Sequence, residues 1–165
     1  MSEKIDPIRL AERSARLQGV FSLGDLGRLR ELLVHTQGQV EYDLSFCLDE
    51  EGRRLIVGHV RAALPLICQR CLEPFEFPVD AEVTLCPVFT DSEAAALPVE
   101  LEPCMMDEER QLCLTELVED ELLVRLPTSL RHPEPCGLLA PEFIEPREHD
   151  TPSSNPFAVL ARLKT

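Results

Sequence analysis

Cys68 and Cys71, two cysteines separated by two residues, form the most chemically specific motif in the sequence. Two thiolates at this spacing on a tight turn can both bind one zinc ion. Zinc needs four ligands, and the best remaining candidates are His132 and Cys136, which are separated by three residues in a proline-rich stretch. The sequence therefore predicts a structural zinc site formed by Cys68, Cys71, His132 and Cys136. The alternative is that the cysteines simply occupy a tight turn.

A redox function is the second interpretation of the CxxC motif. Thioredoxin-type pairs lie at a helix N-terminus, which lowers the pKa of the first thiol, whereas the strand pattern around Cys68 and Cys71 predicts a hairpin. Arg70, between the two thiols, favours a thiolate in either setting. The other cysteines before residue 132 lie in apolar or strand-like surroundings, which predicts small buried side chains: Cys47, Cys86, Cys104 and Cys113.

The sequence predicts no catalytic site. It contains no nucleophile elbow, glycine-rich phosphate loop or HExxH motif, and its histidines are scattered at positions 35, 59, 132 and 149. Four closely spaced carboxylates, Glu116, Glu119, Asp120 and Glu121, are typical of a solvated or partner-binding helix face.

Two short helices are predicted at the N-terminus. Asp6-Pro7 is a typical helix start and predicts a helix over 7–17. The serine and aspartate of Ser22-Leu23-Gly24-Asp25 fit a capping box, and leucines at helical spacing follow, which predicts a second helix over 23–34.

Alternating apolar and polar residues from Val40 onward predict three long strands in an antiparallel meander over about 38–89. The turn between the second and third strands is 68–73, so the CxxC pair is expected at the tip of a β-hairpin. Together with the helices, this pattern predicts an α+β fold with a curved sheet.

The second half of the chain contains one strong helix pattern. Leu114, Val118, Leu122 and Leu126 recur every four residues and predict an acidic helix at about 115–126. We expect a single domain over 1–130, a Pro/Glu-rich loop or disordered segment over 131–156, and a short helix or tail over 157–165.

Thirty acidic and 16 basic residues give a net charge of −14, which disfavours an autonomous nucleic-acid binder. The N-terminal sequence does not resemble a signal peptide, and no apolar run is long enough to cross a membrane. We therefore expect a cytoplasmic protein with reduced thiols.

Three segments, in this order and spacing, resemble the bacterial YceD family of large ribosomal RNA subunit accumulation proteins. They are the run Cys68–Phe75, the helix segment Leu117–Leu123 followed by Leu126-Pro127, and the closing run Asn155–Leu160. The resemblance implies a cytosolic factor needed for normal accumulation of 23S rRNA, and no enzymatic activity. Some family members have further cysteines after the acidic helix, whereas this chain offers His132 and Cys136 and lacks a second CxxC.

The distribution of charge indicates the kind of partner. Between residues 91 and 145 there are fourteen acids and three bases, a balance of −11. Such a segment repels phosphate and suits a basic ribosomal protein or assembly factor, so we expect contact with rRNA to be indirect. The basic residues available to touch RNA are few: Arg9, Arg13, Arg16, Arg28, Arg30, Arg162 and Lys164.

The hypothesis is that the helix around 116–121 binds the basic partner. Two alternatives stay open, a merely solvated acidic face and a zinc-binding module that contacts RNA directly. The oligomeric state is not predicted.

Overall fold

The computed structural model describes residues 3–136. Two short strands, β1 (Lys4–Ile5) and β7 (Leu112–Cys113), pair with each other. Five strands form the main sheet in the order β2-β3-β4-β5-β6. They are β2 (Arg16–Ser22), β3 (Gln39–Leu48), β4 (Arg54–Ile67), β5 (Pro74–Val88) and β6 (Glu102–Met105). The first four are antiparallel neighbours, whereas β6 runs parallel to β5.

The predicted antiparallel meander is confirmed as β3, β4 and β5, and the fold is α+β. The long strands β3, β4 and β5 alternate between a buried and a solvated face over much of their length, as the sequence pattern requires. In β5, for example, Ala81 and Val83 are buried, whereas Asp80 and Glu82 are exposed. The sheet therefore has one core face and one polar face open to water.

The core face of the sheet is covered by helices. They are α1 (Pro7–Glu12), α3 (Leu114–Val124) and two single 3-10 turns at Leu23–Asp25 and Leu29–Glu31. A third short helix, α2 (Asp91–Ala95), follows β5. Leucine and other aliphatic side chains from the helices and strands form one hydrophobic core.

The helix predicted over 7–17 is shorter than expected. Asp6 caps it through the amides of Ile8 and Arg9, as predicted, but the helix ends at Glu12. Ser14 has a left-handed φ of 48°, and the amides of residues 14 and 15 close a Schellman-type end on Ala11 and Leu10. Residues 16–22 then form β2.

The prediction of one helix over 23–34 is wrong. The capping box of Ser22 and Asp25 is present, but the chain forms two separate 3-10 turns. Leu26 between them has an extended conformation. Leu23, Leu26 and Leu29 are all fully buried, so the two turns and the extended residue between them each direct a leucine into the core without a continuous helix.

The acidic helix predicted at 115–126 is confirmed as α3 with slightly different ends. Residues 131–136, the described part of the segment predicted as a loop or disordered, contain neither helix nor strand. The rest of that loop and the tail predicted at 157–165 lie outside the described residues. No helix among residues 3–136 is long and apolar enough to span a bilayer.

Candidate metal centre and acidic surface

The CxxC pair lies at the tip of the β4–β5 hairpin, as predicted. The Cys68 amide donates to the Glu73 carbonyl at 2.9 Å, and the Leu72 amide donates to the Cys68 carbonyl at 2.9 Å. Leu72 takes a left-handed φ of 63°, which closes the turn. The Cys68 side chain is fully buried in this knuckle.

The segment 130–136 lies against the same knuckle. The Gln69 amide donates to the Leu130 carbonyl at 2.8 Å, which fixes the start of this segment on the hairpin tip. The ring of His132 packs on Phe75, with ring centroids 4.9 Å apart. Residues far apart in the sequence thus meet at one end of the sheet.

The four predicted ligands form one cluster. The Sγ atoms of Cys68 and Cys136 are 3.5 Å apart, and Cys71 Sγ is 3.4 Å from His132 Nδ1. All four ligand atoms lie within 4.8 Å of one another. In a zinc tetrahedron with Zn–S bonds of about 2.3 Å, neighbouring ligand atoms would be roughly 3.6–3.8 Å apart. The donor set and its spacing therefore fit a closed tetrahedral site without large rearrangement.

The thiols of the cluster have different acidities. Burial disfavours the thiolate of Cys68, but backbone N–H groups of Cys71, Arg70 and His132 outweigh it and hold the pKa of Cys68 well below the ordinary value. Burial and the neighbouring Cys68 and Cys71 raise the pKa of the Cys136 thiol. The backbone of the hairpin tip thus favours the thiolate form of Cys68, and a bound cation would favour the thiolate forms of Cys71 and Cys136.

The other described histidines lie outside this cluster. His35 precedes β3, and His59 is on the polar face of the sheet with its Nδ1 atom 3.6 Å from Asp80. His149 lies outside the described residues.

The four carboxylates of α3 do not form one exposed face. Glu119 is buried, and its Oε1 atom accepts from the amides of Arg28 and Leu29 at 2.7 and 2.9 Å. Glu121 is buried too, and burial together with Glu102 raises its pKa. Only Glu116 and Asp120 face solvent.

The buried position of Glu119 has a direct structural consequence. Its second oxygen accepts from Arg28 Nε at 3.1 Å, while Arg28 also contacts Asp120 at 2.7 Å. One carboxylate therefore satisfies two amides around the second 3-10 turn and joins that turn to α3. The run of acidic residues in the sequence does not reveal this role, although the helical period places Glu119 at the border of the apolar stripe.

A cleft of about 580 Å³ opens beside this junction. One side of the cleft is formed by the end of β2 and the turn that follows it, and the other side by the start of α3. Its charged lining consists of one arginine and four carboxylates: Arg28, Asp25, Glu116, Glu119 and Asp120.

Three of the arginines considered for RNA contact are already paired with acids. Arg16 binds Asp43 through two hydrogen bonds of 2.7 and 2.5 Å. Arg9 is 3.3 Å from Asp6, and Arg28 is held as described above. Their positive charge is thus largely balanced within the protein.

Comparison with known proteins places the chain in a family. The model of the family described as large ribosomal RNA subunit accumulation protein YceD matches residues 56–164. The chain belongs to the YceD family. A Haemophilus influenzae member, the large ribosomal RNA subunit accumulation protein YceD, is 36% identical over 97% of this chain and 94% of its own length. No solved structure matches. The match to the family includes the CxxC hairpin, α3 and the segment that carries His132 and Cys136.

Proposed function

We propose that this protein is a cytoplasmic, non-enzymatic factor for accumulation of 23S rRNA in the large ribosomal subunit. The observation that carries the proposal is the similarity to a large ribosomal RNA subunit accumulation protein along nearly the whole of both chains. The exposed carboxylates of Asp25, Glu116 and Asp120, together with the net charge of −14, favour action through a basic ribosomal protein or assembly factor. The effect of this protein on the synthesis, processing or stability of the RNA would then be indirect.

The test of this function compares a deletion strain with strains that carry the wild-type gene or a variant. We expect the deletion to lower 23S rRNA relative to 16S rRNA, and the wild-type gene to restore the ratio. An unchanged ratio in the deletion strain would contradict the proposal.

A second experiment separates a protein partner from direct RNA binding. The protein is purified from cells by affinity at low and high salt, with and without ribonuclease, and the retained proteins and RNA are identified. We expect a basic protein that survives ribonuclease and is released by salt, because exposed charges are screened. Retention that ribonuclease abolishes would instead support the RNA-contacting module.

We also propose that Cys68, Cys71, His132 and Cys136 hold a structural zinc ion. Four protein ligands leave no open position, so zinc would stabilise the fold and would not activate water. The hairpin setting supports this role over a CxxC redox pair, because no helix among residues 3–136 begins at the two thiols.

Metal analysis of protein purified without a histidine tag tests the zinc site. We expect about one equivalent of zinc per chain and a large loss in Cys71→Ser. Cys47→Ser is the matched control, because Cys47 lies on β3 away from the cluster, and it should keep its zinc. Less than about a tenth of an equivalent in the wild-type protein would exclude the site.

A further inference from the structure

Strand β2 is an open edge of the main sheet. Its inner side pairs with β3, and no strand among residues 3–136 pairs with its outer side. Such an edge offers unpaired amides and carbonyls to another extended chain. Its sequence, RLQGVFS, contains neither proline nor lysine, the residues that often block such edges.

The register identifies the groups that point outward. The Phe46 amide donates to Ala15, and the Leu23 amide donates to Gly38, so odd-numbered residues from 15 to 23 form the hydrogen-bonded pairs with β3. The even-numbered residues therefore direct their amides and carbonyls away from the sheet. The Ser22 amide is used by Asp25, which leaves Gln18 and Val20 in the middle of the strand.

The surroundings of this edge are acidic. The 580 Å³ cleft adjoins Phe21, near the end of β2. It contains the exposed carboxylates of Asp25, Glu116 and Asp120 beside one arginine, Arg28, which already contacts Asp120. Glu41 is exposed on β3 opposite Val20. Val20 itself is 50% exposed and offers a small apolar contact within this acidic frame.

We propose that the β2 edge binds an extended basic segment of a partner protein by strand addition. The backbone of the segment would pair with Gln18 and Val20, and its lysine or arginine side chains would reach the carboxylates of the cleft. This inference rests on the proposed function, since it gives the basic partner a binding surface. Main-chain pairing would supply affinity, and the carboxylates would select for positive charge.

The experiment uses the full chain and a peptide of about ten residues that alternates arginine and threonine, a pattern suited to a strand. Hydrogen exchange is followed by NMR with and without the peptide. We expect slower exchange for the amides of Gln18 and Val20, and weaker binding as salt is added. A peptide that alternates glutamate and threonine is the control, and it should leave both amides unprotected.

Two variants test the two parts of the surface. Val20→Pro removes an outward amide, which an edge strand tolerates, and should weaken binding by roughly five- to tenfold, whereas Val20→Ala should stay within about twofold. Glu116→Lys should also weaken binding, while Glu50→Lys in the distant β3–β4 turn should not. The Glu116 result stands even if Val20→Pro does not fold.

Several outcomes would overturn the inference. Peptide binding that leaves Gln18 and Val20 unprotected would exclude strand addition. Protection without peptide would mean that the edge is covered by the chain's own residues 137–165 or, where it is lost on dilution, by a second copy. Stronger protection by a single-stranded RNA of similar length would assign the edge to RNA. None of these results changes the 23S rRNA ratio of the deletion strain, so the two proposals can fail separately.

Discussion

Among single residues, the buried carboxylate of Glu119 supplies the hydrogen-bond acceptor that two backbone amides lack. The chain around Gly27 does not form an α-helix, so the amides of Arg28 and Leu29 need acceptors from elsewhere. Glu119 supplies one from α3, about ninety residues later in the sequence. The two elements are thus joined by hydrogen bonds in addition to leucine packing.

Replacing Glu119 by alanine should therefore destabilise the protein. Two amides lose their acceptor, and we expect the free energy of unfolding to fall by roughly 2–3 kcal/mol. Glu116→Ala on the exposed side of the same helix should change it by less than about 0.5 kcal/mol. Denaturant unfolding of both variants measures this difference, and equal effects would contradict the assigned role.

Glu121→Gln should raise the free energy of unfolding at neutral pH, in contrast to Glu119→Ala, which lowers it. Burial and Glu102 raise the pKa of Glu121 in the folded protein above its ordinary value of 4.5, so ionisation of this group opposes folding. The penalty is absent below the unfolded pKa, grows as pH rises toward the folded pKa, and is complete above it. Glu121→Gln should therefore be more stable than wild type at neutral pH, with the gain disappearing in acid. A gain that is the same at every pH would exclude this cause.

The positions of Glu119 and Glu121 were partly readable from the sequence. At about 100° per residue, Glu121 falls inside the apolar stripe formed by Leu114, Leu117 and Leu122, and only Glu116 and Asp120 lie clear of it. Counting charges along the helix hides this difference. The partner amides of Glu119 could not be predicted, because they belong to a turn whose form depends on tertiary packing.

At the scale of elements, the strands were predictable where their alternation was long. The meander and the CxxC hairpin follow from runs of ten or more residues with one buried face. The sequence does not predict strand β2, and the first two residues of this strand fall within the helix predicted over 7–17. The strand has Gly19 at its centre and follows a helix end formed by Ser14 instead of glycine, so neither its start nor its alternation is evident. The two-residue strands β1 and β7 have no periodic signal at all.

Gly58 is a position in the sheet where a side chain would meet the backbone of the neighbouring strand. It lies in β4, and a Cβ atom there would collide with the backbone carbonyl of Asp43 on β3, which cannot move aside as a side chain can. We expect Gly58→Ala to lower the free energy of unfolding by about 2 kcal/mol or more. At Gly27 nothing lies within 4 Å of such an atom, so Gly27→Ala should be close to neutral. Thermal unfolding of the pair checks the prediction, and similar melting temperatures would contradict it.

At the scale of the whole molecule, the Cys and His cluster joins two distant parts of the chain. The ligand residues come from one hairpin tip and from the segment that follows α3, so the cluster spans the end of the sheet. His132 and Cys136 are candidates from the sequence by residue type, by their spacing and by the proline-rich stretch in which they lie. Their approach to the hairpin depends on the backbone contact between Gln69 and Leu130, which no local pattern reveals.

Removing metal should therefore loosen the segment that carries His132 and Cys136. We expect a chelator to increase trypsin cleavage after Arg131 by roughly an order of magnitude, because proteolysis follows the population of the open state. Cleavage after Arg53, in the β3–β4 turn, is the internal control and should not change. Equal acceleration at both sites would indicate general unfolding, and no acceleration would contradict a metal-held segment.

The separation of Cys71 and His132 also matters while the protein is being made. The two residues are 61 positions apart, so at about 5–20 residues per second His132 is synthesised roughly 3–12 s after Cys71. During that interval the chain contains Cys68 and Cys71 without their later partners, His132 and Cys136. The nascent chain thus passes through a stage in which these sulfurs are open to oxidants, and completion of its C-terminal half ends that exposure.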